Sequence, residues 1–288
     1  MIRIQMPEYE LSIPPLVTVG NRTRYSTSTA VAFINDNLLV SAAFNNKKLY
    51  LIGILENGDH SIIDEIDTRH CPDIMKYKNG MILTSDFPHG EPHGHASIYD
   101  LVDEKIVYRK EIAYERNRVH GCAIVDSENF IITSNPSNRE TDIGIMFTNI
   151  ESEKSKIHTN MIPYAKDVAL TDDRIIIVCA KSLPTLNTIV ETKESVLYLF
   201  DKETMEKIDE VTFDGQTDSV AINGEDIFIT VQSDDCLVHC KLINDRLSFV
   251  KRIGGFSFPH GVSSLNNKVA VTNYGDNSIR IFELEELL

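Results

Sequence analysis

Apolar and polar positions alternate in short runs along this chain, and the runs recur in one layout. An apolar residue is followed by a polar turn, and a second apolar stretch begins seven positions after the first. Six copies start at Val31 (then 38–41), Ile74 (81–84), Ala123 (130–133), Val168 (175–178), Val220 (227–230) and Val262 (269–272), the stretch usually closed by Ser or Thr. The intervening turns are rich in Asn, Asp and Gly, such as Asn35, Asp36 and Asn37, or Lys78, Asn79 and Gly80. Such clusters between β-rich runs are hairpin chemistry, because Asn, Asp and Gly tolerate the backbone of tight turns. Each pair is followed by a third apolar run (49–54, 97–99, 144–147, 196–200, 237–240 and 278–282) and usually by a more polar fourth, such as 61–66 or 206–211.

Repeat starts lie 43, 49, 45, 52 and 42 residues apart, the spacing of four-stranded propeller blades. The pattern predicts an all-β fold, one six-bladed β-propeller domain over residues 1–288 with four antiparallel strands per blade. The sixth repeat ends with the chain after its third strand, so an N-terminal strand, at 16–19 or 2–5, is expected to close the ring. Closure removes the open sheet edge.

Composition narrows the partners. Net charge is −15, from 43 acidic and 28 basic residues, which argues against nucleic acid or an anionic membrane, since both need a basic footprint. No apolar run reaches the length of a bilayer span, and the first nine residues lack a secretory pattern. The five cysteines (Cys71, Cys122, Cys179, Cys236 and Cys240) are odd in number and scattered, which fits free thiols and a cytoplasmic setting.

In a four-stranded blade, the loops entering the innermost strand and those joining strands two and three share one face. Here the first-to-second hairpins are short, whereas second-to-third connections are long at 86–96, 135–142 and 180–194. Insertions gathered on one face of a repeat array mark its binding face. Four of the nine histidines precede glycine: His89, His93, His120 and His260. Well under one such pair is expected by chance. His120 and His260 stand just before the inner strands of blades 3 and 6, which are opposite each other in the ring. Corresponding positions elsewhere are Thr29 and Ala30, Pro72 and Asp73, Lys166 and Asp167, and Asp218 and Ser219.

The channel mouth is therefore predicted to gather two His, three Asp and one Lys. Imidazole with carboxylate suits Zn, Mn or Fe ions better than Ca, which prefers all-oxygen shells. His120, His260, Asp73 and Asp218 are the candidate metal ligands, His93 and Asp167 the candidate bases, and Arg118 and Lys166 the candidate substrate contacts. The same His and Asp side chains could instead hydrogen-bond neighbouring backbone and tie blades together. The tract 88–95 could act as a surface chelator. A nucleophilic Cys122 beside His120 is a further reading. Phosphate-loop, nucleophile-elbow and dinucleotide motifs are absent from the sequence.

The segment 258–282, with Phe258-Pro259-His260-Gly261-Val262 followed by Val271-Thr272-Asn273-Tyr274-Gly275-Asp276-Asn277, resembles a blade of the NHL, YVTN and gluconolactonase-like propellers. That resemblance implies lactone hydrolases, lyases, including a zinc-dependent peptidyl-hydroxyglycine lyase, or non-catalytic scaffolds. In the hydroxyglycine lyase, histidines of three His-Gly entries hold zinc; His120 and His260 match two, and this chain lacks the third. The gluconolactonase pattern calls for a Glu in the first blade, where Thr29 and Ala30 stand. Two expectations follow. One is a metal-assisted hydrolase or lyase acting on a small molecule at the mouth. The other is a scaffold that binds a protein or glycan partner through its loop-rich face.

Overall fold

A computed structural model describes residues 17–20, 28–55, 59–87, 93–114, 118–135, 144–158, 164–184 and 189–288. It contains six four-stranded antiparallel sheets, and five of them follow one another directly along the chain. From inner to outer strand, blade 1 is Ser28–Asn35, Leu38–Ala43, Lys48–Ile54 and His60–Asp67. Blade 2 is Cys71–Lys78, Met81–Phe87, Gly94–Val102 and Lys105–Tyr114, and blade 3 is Arg118–Ile124, Asn129–Asn135, Gly144–Asn149 and Ser155–His158. Blade 4 is Ala165–Leu170, Arg174–Pro184, Ile189–Asp201 and Lys207–Asp214, and blade 5 is Thr217–Asn223, Asp226–Val231, Cys236–Ile243 and Arg246–Ile253.

Blade 6 is Pro259–Leu265, Lys268–Asn273 and Ser278–Glu283, and its outer strand is Val17–Gly20 from the other end of the chain. Val17 pairs with Ile281 and Gly20 with Ser278, so the N-terminal strand closes the ring. Of the two expected closing segments, 2–5 lies outside the described residues. No helix among the described residues is long and apolar enough to cross a membrane.

Burial explains the run pattern. Second and third strands are covered by neighbouring blades on both faces, so Leu38–Ala43 is buried throughout and reads as continuous apolar sequence. Outer strands have one wet face, and His60–Asp67 alternates residue by residue, the period-2 signature of a half-solvated strand. Apolar clusters run between blades: Ile74, Leu83, Val119, Cys122 and Ile132 join blades 2 and 3, for instance. Each fully buried Leu or Ile contributes roughly 1.5–3 kcal/mol of hydrophobic stabilisation.

All six inner strands carry a register irregularity at their entry. It falls between Ser28 and Ala30, Pro72 and Ile74, Val119 and Cys122, Ala165 and Asp167, Thr217 and Val220, and Pro259 and Val262. A bulge inserts one residue and re-aims its side chain. The inserted positions, Thr29, Asp73, His120, Lys166, Asp218 and His260, are one from each blade.

The sequence assigned 180–194 to a loop. Its backbone instead continues the second and third strands of blade 4, with Ser182 paired to Glu191 and Pro184 to Ile189. The inner strand stops pairing at Ala165 opposite Cys179, and the outer strand's pairing begins at Glu194. A two-stranded ribbon therefore extends past the blade on the face where the inner strands begin.

Candidate metal centre at the channel mouth

Each mouth histidine is built into its junction by three local features. The first is the bulge, which turns the side chain inward. The second is the following glycine. A methyl group on Gly261 would lie 2.6 Å from the Thr29 carbonyl oxygen and 2.8 Å from Ala30 Cα, and one on Gly121 would come closer still to Lys166 and Asp167. The third is a hydroxyl on the second strand. Thr272 Oγ1 accepts from Gly261 N at 2.7 Å and donates to Thr29 O at 3.0 Å, and Thr133 Oγ1 does the same for Gly121 N (2.6 Å) and Lys166 O (3.2 Å).

Close approach lets the imidazoles bond across the junction. His120 Nδ1–H donates to Lys166 O and His260 Nδ1–H to Thr29 O, both at 2.9 Å. A donating Nδ1 fixes the ring's orientation and leaves Nε2 as the outward-facing atom. Both Nε2 atoms face the same two carboxylates. His260 Nε2 lies 2.6 Å from Asp218 Oδ2 and 3.4 Å from Asp73 Oδ1, and His120 Nε2 lies 3.1 Å from Asp218 Oδ1 and 3.7 Å from Asp73 Oδ2. The rings are nearly parallel, 15° apart, with centroids separated by 6.4 Å. All four side chains are buried.

Asp218 is the anchor of this quartet. Burial alone would raise its pKa, but the His260 and His120 imidazoles outweigh that and hold it well below the usual carboxylate range. Gln232 Nε2 also donates to its Oδ2, and Lys166 Nζ lies 3.8 Å from its Oδ1. Burial opposes charge on His260; the Asp218 carboxylate, then Asp73 and the Thr29 carbonyl, reverse this and push it up to about 9. The His260–Asp218 pair therefore holds a proton at the centre of the quartet. The four nitrogen–oxygen separations run from 2.6 to 3.7 Å, and imidazole with carboxylate is a donor set of the kind that divalent transition ions take.

The rim adds aromatic groups from the segment 258–282, to which the sequence analysis assigned no role. Tyr274 stacks near His260 (6.2 Å between centroids) and meets Phe258 at 5.7 Å. Phe258 is 41% exposed and has φ +49°, and Tyr164, whose ring lies 5.5 Å from Lys166 Nζ, has φ +58°. Left-handed backbone at a bulky residue costs about 1–2 kcal/mol, and such strain clusters at functional sites. Gln232, Phe258 and Tyr274 come from loops without a repeat signal, so spacing could not find them.

Other expected residues fall elsewhere. Asp167 is fully buried beside the mouth position Lys166. Its Oδ2 accepts from Lys76 Nζ (2.7 Å), Ser219 Oγ (2.8 Å) and Val220 N (2.9 Å), which ties blade 4 to blades 2 and 5. It is a structural carboxylate, not a base at the mouth, because the bulge presents Lys166 there. Lys76 also donates to Val220 O at 3.0 Å and so crosses the channel beneath the quartet. His93 is half-buried just before the third strand of blade 2. Arg118 opens the inner strand of blade 3, its backbone paired with Asn135; its side chain, with His89, Arg116 and 136–143, lies outside the described residues. Cys122 is enclosed, its Sγ 3.6 Å from Leu83 O, and burial raises its thiol strongly. The bulge breaks the alternation that would have put it on the His120 face, so it is no nucleophile. A surface hollow of about 360 Å³ lies at the far face of blade 3, lined by Asp126, Phe147, Lys154 and others, and Asp126 is spent capping its own turn.

No protein-family model and no curated protein matches the sequence. Solved structures share the fold. The chain is similar to the PQQ-bound aldose sugar dehydrogenase of Streptomyces coelicolor (TM-score 0.65, 7% identity, covering 94% of this chain and 97% of that one). It is also similar to the WD40 β-propeller domain of Doa1 (0.61, 11%, 93% and 96%) and to Kuenenia stuttgartiensis hydrazine synthase (0.56, 15%, 88% and 82%). At these identities the likeness concerns architecture alone: the chain is a six-bladed β-propeller.

Proposed function

We propose that the channel mouth binds one divalent transition-metal ion through His120, His260, Asp73 and Asp218 and that the protein is a metal-assisted hydrolase or lyase for a small molecule. One observation carries this reading: each imidazole spends Nδ1 on the next blade's carbonyl, which aims Nε2 at two buried carboxylates. An ion held by these four residues would supply Lewis acidity at the mouth. Asp218 is held by four neighbours, whereas Asp73 makes the longer contacts to the two imidazoles. Lys166 attracts an anionic substrate group, and Phe258 with Tyr274 offers an apolar platform. The likeness of segment 258–282 to lactonase- and lyase-containing propellers points the same way. Structural neighbours that are enzymes show only that the architecture supports catalysis.

Elemental analysis of untagged protein beside His120→Ala/His260→Ala tests it. The variant should carry one equivalent of transition metal fewer than the wild type and lose turnover of responsive lactones or lyase substrates. Equal metal content in both sinks the idea. The ribbon formed by 182–184 and 189–191 supports a second reading, a scaffold that docks a protein or glycan. Under that reading, deleting the ribbon abolishes partner capture while the histidine variant leaves capture intact.

A further inference from the structure

The rim of the mouth repeats one device on either side of blade 5. Tyr164 and Phe258 each stand two residues before a mouth position, Lys166 and His260, and both take left-handed backbone (φ +58° and +49°). Each carbonyl accepts a backbone bond, Tyr164 O from Ala180 N at 3.2 Å and Phe258 O from Tyr274 N at 3.0 Å. The rings then differ. Tyr164 has Lys166 Nζ 5.5 Å from its centroid, whereas Phe258 stays exposed and tilts 54° against Tyr274, which in turn lies against His260.

A turn of blade 5 holds Phe258 in place. Gln232–Asp234 form a single turn of 3-10 helix, closed by Asp235, itself left-handed at φ +51°. Asp235 Oδ1 accepts from Phe258 N at 2.6 Å, and its carbonyl accepts from Phe256 N at 3.3 Å. The start of the same turn holds the quartet, since Gln232 Nε2 donates to Asp218 Oδ2. Gln216 clamps the turn, donating its N to Ser233 Oγ at 2.8 Å and accepting from Gln232 N at 2.9 Å. One clamped turn therefore fixes an exposed ring relative to the anchor of the quartet. Left-handed backbone at a bulky residue costs stability that glycine would not, and an exposed ring recovers little of it by burial. Strain kept in this way marks a functional position.

We infer that Phe258 is the specificity-determining residue of the mouth, that Asp235 is its positioning residue, and that the substrate joins a flat aromatic body to a carboxyl or carboxyl-derived group. This inference rests on the reading of the mouth as a small-molecule site. The corner between Phe258 and Tyr274 takes an aromatic body edge-to-face or offset-stacked, and Lys166 supplies positive charge for the oxygen atoms.

The probes are 3-phenylpropionate and propionate, titrated by ligand-detected NMR into full-length protein, both chelator-treated and Zn²⁺-loaded. The wild type should bind the aryl acid at least about tenfold more tightly, because its ring is buried against two others. Phe258→Gly should erase that preference yet melt at or above the wild-type temperature, because glycine relieves the strain. Asp235→Ala should weaken the preference, and Asp235→Asn, which keeps an Oδ1 acceptor, should restore it. A wild-type ratio near one, an undiminished ratio in Phe258→Gly or Asp235→Ala, or a Phe258→Gly protein that melts well below the wild type overturns the proposal. An aryl preference in protein that takes up no metal leaves this inference standing while the metal centre fails. Metal uptake without an aryl preference does the reverse.

Discussion

The entries to blades 3 and 6 solve the same packing problem as the entry to blade 4, with different chemistry. In blades 3 and 6 the mouth position is His, the next residue is Gly and the second strand supplies Thr133 or Thr272. In blade 4 these three positions are Lys166, Asp167 and Val178. The inter-blade bond that a threonine makes elsewhere is made there by the Asp167 carboxylate, which receives Ser219 and Val220 of blade 5. Glycine is not a requirement of the fold at this place, since Ala30, Ile74 and Ser219 occupy it in blades 1, 2 and 5. It is required where an imidazole must reach the next blade's carbonyl. The His-Gly pair is thus a junction tie and a side-chain aiming device at once.

The sharpest way to break the comparison is at Asp167. Asp167→Asn should destabilise the protein by about 3–5 kcal/mol, because Lys76 keeps its charge in the channel without its partner. Urea denaturation of Asp167→Asn, Lys76→Met and the double variant should give a cycle in which the second change restores part of the loss. Strict additivity would mean that the ion pair does not hold blade 4 in place.

Next in size is Gly121→Ala, at about 2–3 kcal/mol, because the new methyl meets the backbone of Lys166 and Asp167. A stability within experimental error of the wild type would show that blades 3 and 4 can part without cost. The quartet should loosen with them and bind metal more weakly.

Much of this was readable before any coordinates. Six copies of a hairpin pattern give the blades because each second strand, buried on both faces, must be continuously apolar, and each turn needs Asn, Asp or Gly. The mouth positions of His120, His260, Asp73 and Asp218 follow from their common place at the strand entries. Which of Lys166 and Asp167 faces the mouth did not follow, since a one-residue bulge exchanges the two faces. Gln232 was also out of reach, because its bond to Asp218 depends on the path of the turn at 232–234, which the repeat does not set.

The blade 6 entry also carries a group with a displaced pKa. In chelator-treated protein, His260 is raised from 6.5 to about 9. The folded state therefore binds its proton more tightly than the unfolded chain does. That stabilisation is complete below about pH 6.5 and is lost as pH rises through about 9. Denaturation midpoints of wild type should fall across this window, and those of His260→Gln should stay flat there. A parallel fall in both would move the effect to another group.

The smallest effect tests the threonine tie. Thr272→Val gives blade 6 the residue blade 4 already carries at Val178, but without a carboxylate to replace the hydroxyl. Gly261 N then loses its acceptor, and Thr29 O keeps only His260 Nδ1. A lost buried hydrogen bond of this kind costs about 1 kcal/mol. Thr133→Val should cost the same, since Lys166 O keeps His120 Nδ1. The two junctions are on opposite sides of the ring and share no partners, so the double variant should show the sum of the two losses. A double variant that loses much more than the sum would mean the junctions communicate through the quartet, where His120 and His260 face the same two carboxylates. Repeating the measurement in the Asp218→Asn background, which weakens that link, would then bring the effects back to additivity.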